Sequence, residues 1–403
     1  DALPIFTLLL IYLLLTSLSY GNSRPHPNKM YVKRLGDTIY IGTKFDEKSD
    51  LLICFRKCLN NNLMGFYQVG IAANTTDSPL TDVSRNPDKV INLAYSDNIG
   101  PISIEGNFCG ANHCYKEDYT KKIKTATCDW FTFTADGKPL DNNRLIACNE
   151  VQINVVNTIY NPLLPTYGAD GTTVISLDSV LCLEKVEYRV AGGSISVNTE
   201  HTYAQRDPVK VTTYYGMQSM AKGDEIYFPG GSTPDFVKKQ AGINNPKSAY
   251  PELSSWIQRD SAGSWYEACW MNPSYELGKR ALITEDNNMA FTSGTKVYHR
   301  LINGQVAKKG TINKWSGCYT WFTPLIDNDR LLCYEMTYNG GNYLFIQTKK
   351  AVSTVVDLPA GYTNHVYSVW HTDKTQSVTT HSGKAPIKLV SKGPGTTILK
   401  IEN

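Results

Sequence analysis

The hydrophobic residues of this chain occur in short runs, and few of them follow the 3.6-residue spacing of an amphipathic helix. The runs are rich in Val, Ile, Tyr, Phe and Thr and are bounded by Gly, Asn, Asp and Pro, which is typical of β-strands separated by tight turns. Helix is predicted only in short pieces, such as 233–240. Since no crossover helices separate the runs, the pattern predicts an antiparallel, all-β protein. The clearest predicted strands are 30–35, 38–45, 152–156, 226–228, 297–301, 344–348 and 398–401.

A recurring unit supports this prediction, because a polar turn of Gly, Asp or Asn leads directly into an apolar strand at five places. The turns are 36–37, 141–143, 223–224, 286–288 and 327–329. Small antiparallel sheets of this kind cannot bury both faces alone, so several of them must pack around an axis or into a sandwich. We therefore expect a β-propeller over residues 1–403, with a pair of stacked β-sandwich domains as the alternative.

The ten cysteines bear on the compartment of the protein. Their spacings match no recognised zinc ligand set, so we expect disulfides and no metal. The segments around Cys128 and Cys148 and around Cys318 and Cys333 resemble one another, and each looks like two neighbouring strands of one sheet. We therefore predict the disulfides Cys128–Cys148 and Cys318–Cys333. The sequon at Asn74 predicts a glycan there, which also agrees with an oxidising, secretory route.

The N-terminal segment is apolar, since residues 2–18 are ALPIFTLLLIYLLLTSL. No Lys or Arg precedes this run, the chain begins with Asp1, and no clear small-residue cleavage site follows; these features are not typical of a signal peptide. We interpret residues 1–25 as part of the fold, with a membrane span or anchor as the alternative. The chain is expected to start inside a longer precursor.

The net charge and the absence of known catalytic motifs argue against several classes of function. The formal net charge is only +3 and the basic residues are scattered among acidic ones, so nucleic acid is not expected as a partner. Hydrolase, P-loop and dinucleotide motifs are absent, and no spacing marks the three arginines that sialidase chemistry requires. We predict a binding protein with no catalytic residues and no cofactor.

Aromatic residues on polar loops are the best indicators of a binding surface, because Trp and Tyr contribute much of the energy at protein interfaces. The densest such stretch is 264–275, and a second lies around 201–215. For any single residue, packing beneath a long connection is the alternative interpretation. The predicted receptor-binding residues are Trp265, Tyr266, Trp270, Tyr275, Tyr203 and Arg206.

Four segments resemble, in pattern and in order along the chain, the attachment glycoproteins of paramyxoviruses. They are a Gly-rich loop leading into a strand at 215–232, a strand after a loop at 273–284, a turn and strand at 288–302, and a cysteine-containing hairpin at 318–335. The resemblance implies a six-bladed β-propeller head of four-stranded antiparallel sheets, carried on a stalk and a type II membrane anchor outside this chain. It places the head on the virion envelope and the infected-cell plasma membrane.

The implied partners are a host-cell surface receptor and a separate viral fusion glycoprotein, and the full-length protein is expected to be a homo-oligomer. Family members that cleave sialic acid carry an Asn-Arg-Lys-Ser-Cys-Ser hexapeptide, which this sequence lacks. We therefore expect a head that binds a protein receptor, triggers the fusion protein and catalyses nothing. The alternatives are a sialic-acid-binding sialidase of the haemagglutinin-neuraminidase type and a secreted host propeller or lectin.

Overall fold

The computed structural model describes residues 29–93, 99–284, 286–381 and 383–402. The predicted apolar segment 1–25 lies outside these residues. Within the described part there is no α-helix, and short 3₁₀ helices occupy Tyr115–Glu117, Glu276–Lys279 and Ala360–Tyr362. The all-β prediction is therefore confirmed. In the same ranges, no helix is long and apolar enough to cross a membrane.

The strands are numbered in chain order. The first part of the chain forms β1 (Met30–Leu35), β2 (Thr38–Asp46), β3 (Ser49–Cys58), β4 (Leu63–Ala73), β5 (Lys89–Leu93), β6 (Ile102–Ile104), β7 (Asn107–Cys109), β8 (Ala126–Ala135), β9 (Lys138–Pro139), β10 (Leu145–Cys148), β11 (Val151–Tyr160), β12 (Pro165–Tyr167), β13 (Val174–Leu177), β14 (Val180–Ala191), β15 (Ser194–Tyr203) and β16 (Val209–Ser219). The second part forms β17 (Glu225–Tyr227), β18 (Val237–Lys238), β19 (Asn244–Pro246), β20 (Ser255–Arg259), β21 (Tyr266–Met271), β22 (Asn288–Ser293), β23 (Lys296–Ile302), β24 (Gln305–Ala307), β25 (Ile312–Phe322), β26 (Ile326–Asp327), β27 (Leu331–Tyr338), β28 (Gly341–Thr348), β29 (Val352–Val356), β30 (Val366–Thr372), β31 (Gln376–His381), β32 (Lys384–Ser391) and β33 (Gly395–Glu402).

Each of the seven predicted strands overlaps an observed strand, because alternating or continuous β-branched and aromatic runs suit a pleated, buried surface. The predicted helix over 233–240 is wrong. That stretch contains the short strand β18, which pairs with β17 and extends the edge of a sheet. Its Pro and Asp residues favour turns over helix.

Four large antiparallel sheets are formed. The N-terminal sheet has the order β10-β1-β2-β3-β4-β5, and the central sheet has the order β18-β17-β20-β21-β25-β15-β14-β11-β8-β9. The lateral sheet has the order β19-β22-β23-β16-β6-β7, with β24 also pairing β16. The C-terminal sheet has the order β26-β27-β28-β33-β30-β32-β29, with β31 also pairing β32. Strands β12 and β13 form a separate hairpin.

The N-terminal and lateral sheets cover the inner face of the central sheet. Phe55 of the N-terminal sheet packs edge-on against Tyr188 of the central sheet, with ring centroids 5.3 Å apart. Trp315 of the central sheet donates a 2.6 Å hydrogen bond from Nε1 to the Tyr214 hydroxyl of the lateral sheet. These contacts belong to one large hydrophobic core shared by the three sheets.

The C-terminal sheet covers only part of the opposite, outer face. Phe322 of the central sheet stacks on Tyr334 at 4.2 Å between centroids, and Trp270 packs edge-on against Phe345 at 5.7 Å. These contacts involve strands β21 and β25. Farther along the same face, side chains of β8 and β14 such as Trp130 and Leu183 are exposed. Part of the outer face of the central sheet is thus open to solvent.

These sheets do not form the predicted six blades of four strands each. Strand β25 pairs with both β15 and β21, which extends one sheet to ten strands. Large sheets packed face to face correspond more closely to the stacked-sandwich alternative. That residues 1–403 form a single unit stays a prediction.

The predicted disulfides are also not formed, since Cys128, Cys148, Cys318 and Cys333 are free thiols. Cys128 lies in the central sheet and Cys148 in the N-terminal sheet, while Cys318 and Cys333 lie in the central and C-terminal sheets. The reason is strand pairing: β8 lies between β11 and β9, and β25 lies between β15 and β21. Cys318 has Ser196 of β15 and Trp270 of β21 opposite it, and Cys128 is paired with Asn157 of β11, so neither cysteine lies opposite its predicted partner.

Candidate ligand-binding groove

The open part of the outer face is organised in cross-strand rows. Antiparallel register aligns one residue from each of five neighbouring strands, β8, β11, β14, β15 and β25. The first row is Trp130, Val156, Lys185, Glu200 and Lys314. Because alternate residues of a strand point to the same face, these side chains lie next to one another on one surface.

A second row lies two residues along each strand. It consists of Thr132, Asn154, Glu187, Asn198 and Ser316. Its members are uncharged polar side chains apart from Glu187. The two rows together form a floor whose side chains are polar apart from Trp130 and Val156. It crosses five strands, which corresponds to roughly 19 Å at about 4.8 Å between strands.

A groove of about 420 Å³ lies over this floor. Trp130 lines it at the β8 end and is 50% exposed, while Tyr275 lines it beside β25 and is 39% exposed. The loop that carries Tyr275 is fixed to the sheet, because the backbone N–H of Asn272 donates to the carbonyl of Ser316 at 2.9 Å. The ligand groove, as we call it, thus has an accessible aromatic ring at each end.

The C-terminal sheet borders the ligand groove beside its second row. The hydroxyls of Tyr338 and Ser316 are hydrogen-bonded at 2.6 Å, and the amide nitrogen of Asn198 donates to Asn339 Oδ1 at 3.1 Å. These contacts come from the end of β27 and the turn before β28. They fix the end of β27 and the turn before β28 against the floor, so these two segments border one side of the ligand groove.

Glu187, in the second row, has hydrogen-bond partners on both of its carboxylate oxygens. Its carboxylate accepts hydrogen bonds from Arg189 Nε at 2.7 Å, from Gln152 Nε2 at 2.8 Å and from Asn198 Nδ2 at 3.1 Å. Burial raises the pKa of Glu187, but the hydrogen bond and charge of Arg189 outweigh it, so the pKa lies below its ordinary value. Glu187 is therefore an ionised carboxylate.

Glu200 has a similar environment in the first row. Lys314 Nζ lies 2.7 Å from one carboxylate oxygen, and Lys185 Nζ lies 3.7 Å from the other. The hydrogen bond from Lys314 lowers the pKa of Glu200, and the same bond raises the pKa of Lys314. Two lysines and two glutamates line the ligand groove, so the formal charges of its lining sum to zero.

Four of the six residues predicted to contact a receptor are buried. The ring of Trp265 belongs to the main core, and Tyr203 does as well, whereas Tyr266 and Trp270 lie under the C-terminal sheet. All four are 3% exposed or less. Their side chains pack inside the protein and cannot touch a partner in this structure. The prediction that these four residues contact a receptor is therefore corrected: they are core residues.

The other two predicted residues are accessible to solvent. Tyr275 lines the ligand groove, as described above. Arg206 lies on an exposed loop after β15 and is not part of the groove lining. The structure therefore brings one predicted binding residue into the groove.

The predicted glycosylation site is buried. Asn74 is 7% exposed, and its amide nitrogen donates to Asp50 Oδ2 and to the carbonyl of Ser78, both at 2.8 Å. Asp50 is also paired with Lys44 at 3.0 Å. A glycan is attached through this same nitrogen, so its attachment would displace these contacts.

The sequence analysis missed Trp130, Lys185 and most of the groove floor. The signal was present in residues 185–190, where charged and apolar residues alternate. This period of two is typical of a strand with one face in solvent. Lys185 meets Glu200 across the β14–β15 hairpin, but Glu200 meets Lys314 more than 100 residues later and Tyr275 comes from a separate loop, so the groove itself could not be deduced.

Within the described ranges, no three His, Cys, Asp or Glu side chains are grouped to hold a metal ion. The expectations of no metal and no cofactor stay predictions.

No protein-family model matches this chain, and no curated protein matches it. Among solved structures, the chain is similar to the GH36 alpha-galactosidase AgaB from Geobacillus stearothermophilus, with a TM-score of 0.39 and 8% identity over 72% of this chain and 41% of that one. It is also similar to the heparan sulfate lyase HepC from Pedobacter heparinus, with a TM-score of 0.30 and 8% identity over 79% of this chain and 41% of that one. The chain spans less than half the length of either protein. At these TM-scores, the similarity establishes neither the fold nor the function of this chain.

Proposed function

We propose that this chain is a binding protein whose ligand lies in the ligand groove. The observation that carries the proposal is the pair of exposed rings, Trp130 and Tyr275, at the two ends of a polar floor. Exposed Trp and Tyr side chains provide large contact areas at low entropic cost. A concave site lined by aromatic rings and a few fixed polar groups is the usual form of a binding site.

We propose that binding is not coupled to catalysis. Glycosidic cleavage requires one carboxylic acid that is protonated to serve as the general acid. The pKa values of Glu187 and Glu200 both lie below the ordinary value, because Arg189 and Lys314 hold them as carboxylates. The sialidase alternative receives no support either, since the described residues that line the ligand groove include no arginine.

The biological setting that we propose is attachment to a cell surface. A viral attachment protein and a secreted lectin both require an accessible binding surface of this kind. The proposed contact with a fusion glycoprotein, the homo-oligomeric state and the location on a virion envelope rest on the sequence resemblance alone. The binding role that we propose for Trp130 and Tyr275 does not depend on that resemblance, because it rests on their positions in the ligand groove.

Cell binding by defined variants tests the proposal. Fluorescently labelled chain would be applied to a panel of animal cell lines as wild type, as Trp130→Ala and as Tyr275→Ala. Tyr167→Ala is a matched control, because Tyr167 is 51% exposed and does not line the ligand groove. We expect binding to fall roughly tenfold or more in both groove variants and to persist in the control. Equal binding by all four proteins would refute the proposal.

A further inference from the structure

We infer that the ligand of the groove is a neutral, hydroxyl-rich oligosaccharide, an inference that rests on the proposed binding function and names its ligand class. Three properties of the ligand groove support it: the charge balance of the lining, the kind of hydrogen-bonding groups on the floor, and the position of the aromatic rings.

The charges of the floor are already paired. Glu200 lies between Lys314 and Lys185, and Glu187 is held by Arg189. A strongly anionic or cationic ligand would have to break such pairs and leave a charge without its partner, which is costly. A ligand without charge leaves both pairs intact.

The floor offers side-chain hydrogen-bonding groups without free backbone groups. Strands β11, β14 and β15 each have a hydrogen-bonded neighbour on both sides, so their N–H and C=O groups are used within the sheet. An extended peptide gains much of its affinity by adding to a free strand edge, and these three middle strands of the floor have none. Asn154 and Glu200 instead present a planar amide and a carboxylate group, which can each meet more than one ligand hydroxyl.

The positions of the two aromatic rings also suit an oligosaccharide ligand. A sugar ring has a face of C–H groups that packs against an aromatic side chain while its hydroxyls point sideways to polar groups. Trp130 and Tyr275 stand at opposite ends of a floor about 19 Å wide. This separation suits a chain of several sugar rings, with the terminal rings stacked and the middle hydroxyls over Lys185 and Glu200.

The test is calorimetric titration of the full chain with defined oligosaccharides. The neutral probes are cellotetraose, chitotetraose and maltotetraose, and the charged probes are sialyllactose and a heparin tetrasaccharide. We expect at least one neutral probe to bind, with an affinity that changes little between low and high salt because no net charge is neutralised. Trp130→Ala should lower that affinity roughly tenfold or more, and Tyr167→Ala should leave it unchanged.

The outcomes separate this inference from the proposed function. Binding only of charged probes that depends on Trp130 and weakens with salt overturns the neutral class and leaves the groove as the site. Cell binding that depends on Trp130 but is abolished by protease treatment of the cells and accompanied by no oligosaccharide binding assigns the groove to a protein ligand and also overturns the inference. If neither cell binding nor oligosaccharide binding depends on Trp130, the proposed function itself fails.

Discussion

The hydroxyl of Tyr266 donates a 2.6 Å hydrogen bond to Asp327 Oδ2, which joins the central sheet to the C-terminal sheet. Arg259 Nη1 lies 3.0 Å from the same oxygen, and Lys349 Nζ lies 2.8 Å from the other oxygen of Asp327. Burial raises the pKa of Tyr266 to about 12, so its hydroxyl remains a donor at neutral pH. An aromatic residue predicted to meet a receptor is therefore part of the contact between two sheets.

Tyr266→Phe removes this donor and keeps the ring. A hydrogen bond to a charged group contributes about 1.5–3 kcal/mol, and Arg259 and Lys349 continue to satisfy the carboxylate, so we expect a loss of about 1–2 kcal/mol in the free energy of unfolding. Urea denaturation measures it. Tyr275→Phe, at an exposed position, is the control and should unfold like the wild type. Unchanged stability in Tyr266→Phe together with lost cell binding would restore the original receptor-contact hypothesis.

Two tryptophans should respond oppositely to truncation. Trp270 is fully buried between the central and C-terminal sheets, so Trp270→Ala should cost about 3–5 kcal/mol of stability. Trp130 is 50% exposed, and Trp130→Ala should change the free energy of unfolding by less than about 0.5 kcal/mol. Thermal unfolding followed by circular dichroism compares them. A stable Trp270→Ala protein would contradict the packing described here.

A buried carboxylate links three of the sheets. Glu267 of the central sheet accepts 2.9 Å hydrogen bonds from Asn92 of the N-terminal sheet and from Ser219 of the lateral sheet. Burial raises the pKa of Glu267 to about 7, although Ser219 and the charge of Lys239 act in the opposite direction. The thiol of Cys269 lies 3.6 Å from the same carboxylate.

This raised pKa predicts how stability depends on pH. Between pH 4.5 and about 7 the folded state keeps a proton on Glu267 that the unfolded state has released. The free energy of unfolding should therefore fall as pH rises through this window, by roughly 3 kcal/mol in total. Glu267→Gln should remove this decrease, while Glu200→Gln, whose wild-type carboxyl has a lowered pKa, should retain it. Equal slopes in wild type and Glu267→Gln would show that Glu267 has no raised pKa.

The buried position of Asn74 predicts its behaviour in a secretory host. Because its amide nitrogen is engaged by Asp50 and Ser78, we expect the folded chain to carry no glycan there. Intact-mass measurement of the secreted protein tests this directly. Asn74→Ala should cost about 1–3 kcal/mol, because it leaves the buried carboxylate of Asp50 with one donor fewer. Full occupancy of Asn74 by a glycan would mean that residues 74–80 adopt another conformation.

Local features were predictable from the sequence to different extents. The strand Met30–Leu35 and the polar turn before β2 were predicted correctly, since they depend on neighbours in sequence. The burial of Trp270 was not predictable in the same way. Strand β21 is buried on both faces, so its sequence does not alternate, and the C-terminal sheet that covers it begins more than 50 residues later.

The pairing of strands limited the prediction of the site. The segments around Cys128 and Cys318 look like hairpins with Cys148 and Cys333, yet β8 pairs with β9 and β11, and β25 pairs with β21 and β15. Pairing across intervening segments also aligns Trp130 with Lys185 through Val156. The accessible groove is a property of sheet register, and register between distant strands cannot be deduced from one sequence.

A groove-blocking substitution tests the central claim most directly. Asn154 lies on the floor between Thr132 and Glu187, and Asn154→Trp would fill the ligand groove while leaving both terminal rings in place. Thr172→Trp, on an exposed turn outside the groove, adds the same side chain as a control. The measurement is binding of the two labelled variants to the cells that bind wild type, after unfolding curves have shown that both are folded. We predict that Asn154→Trp loses binding and Thr172→Trp retains it; wild-type binding by a folded Asn154→Trp protein would contradict the assignment of the groove as the binding site.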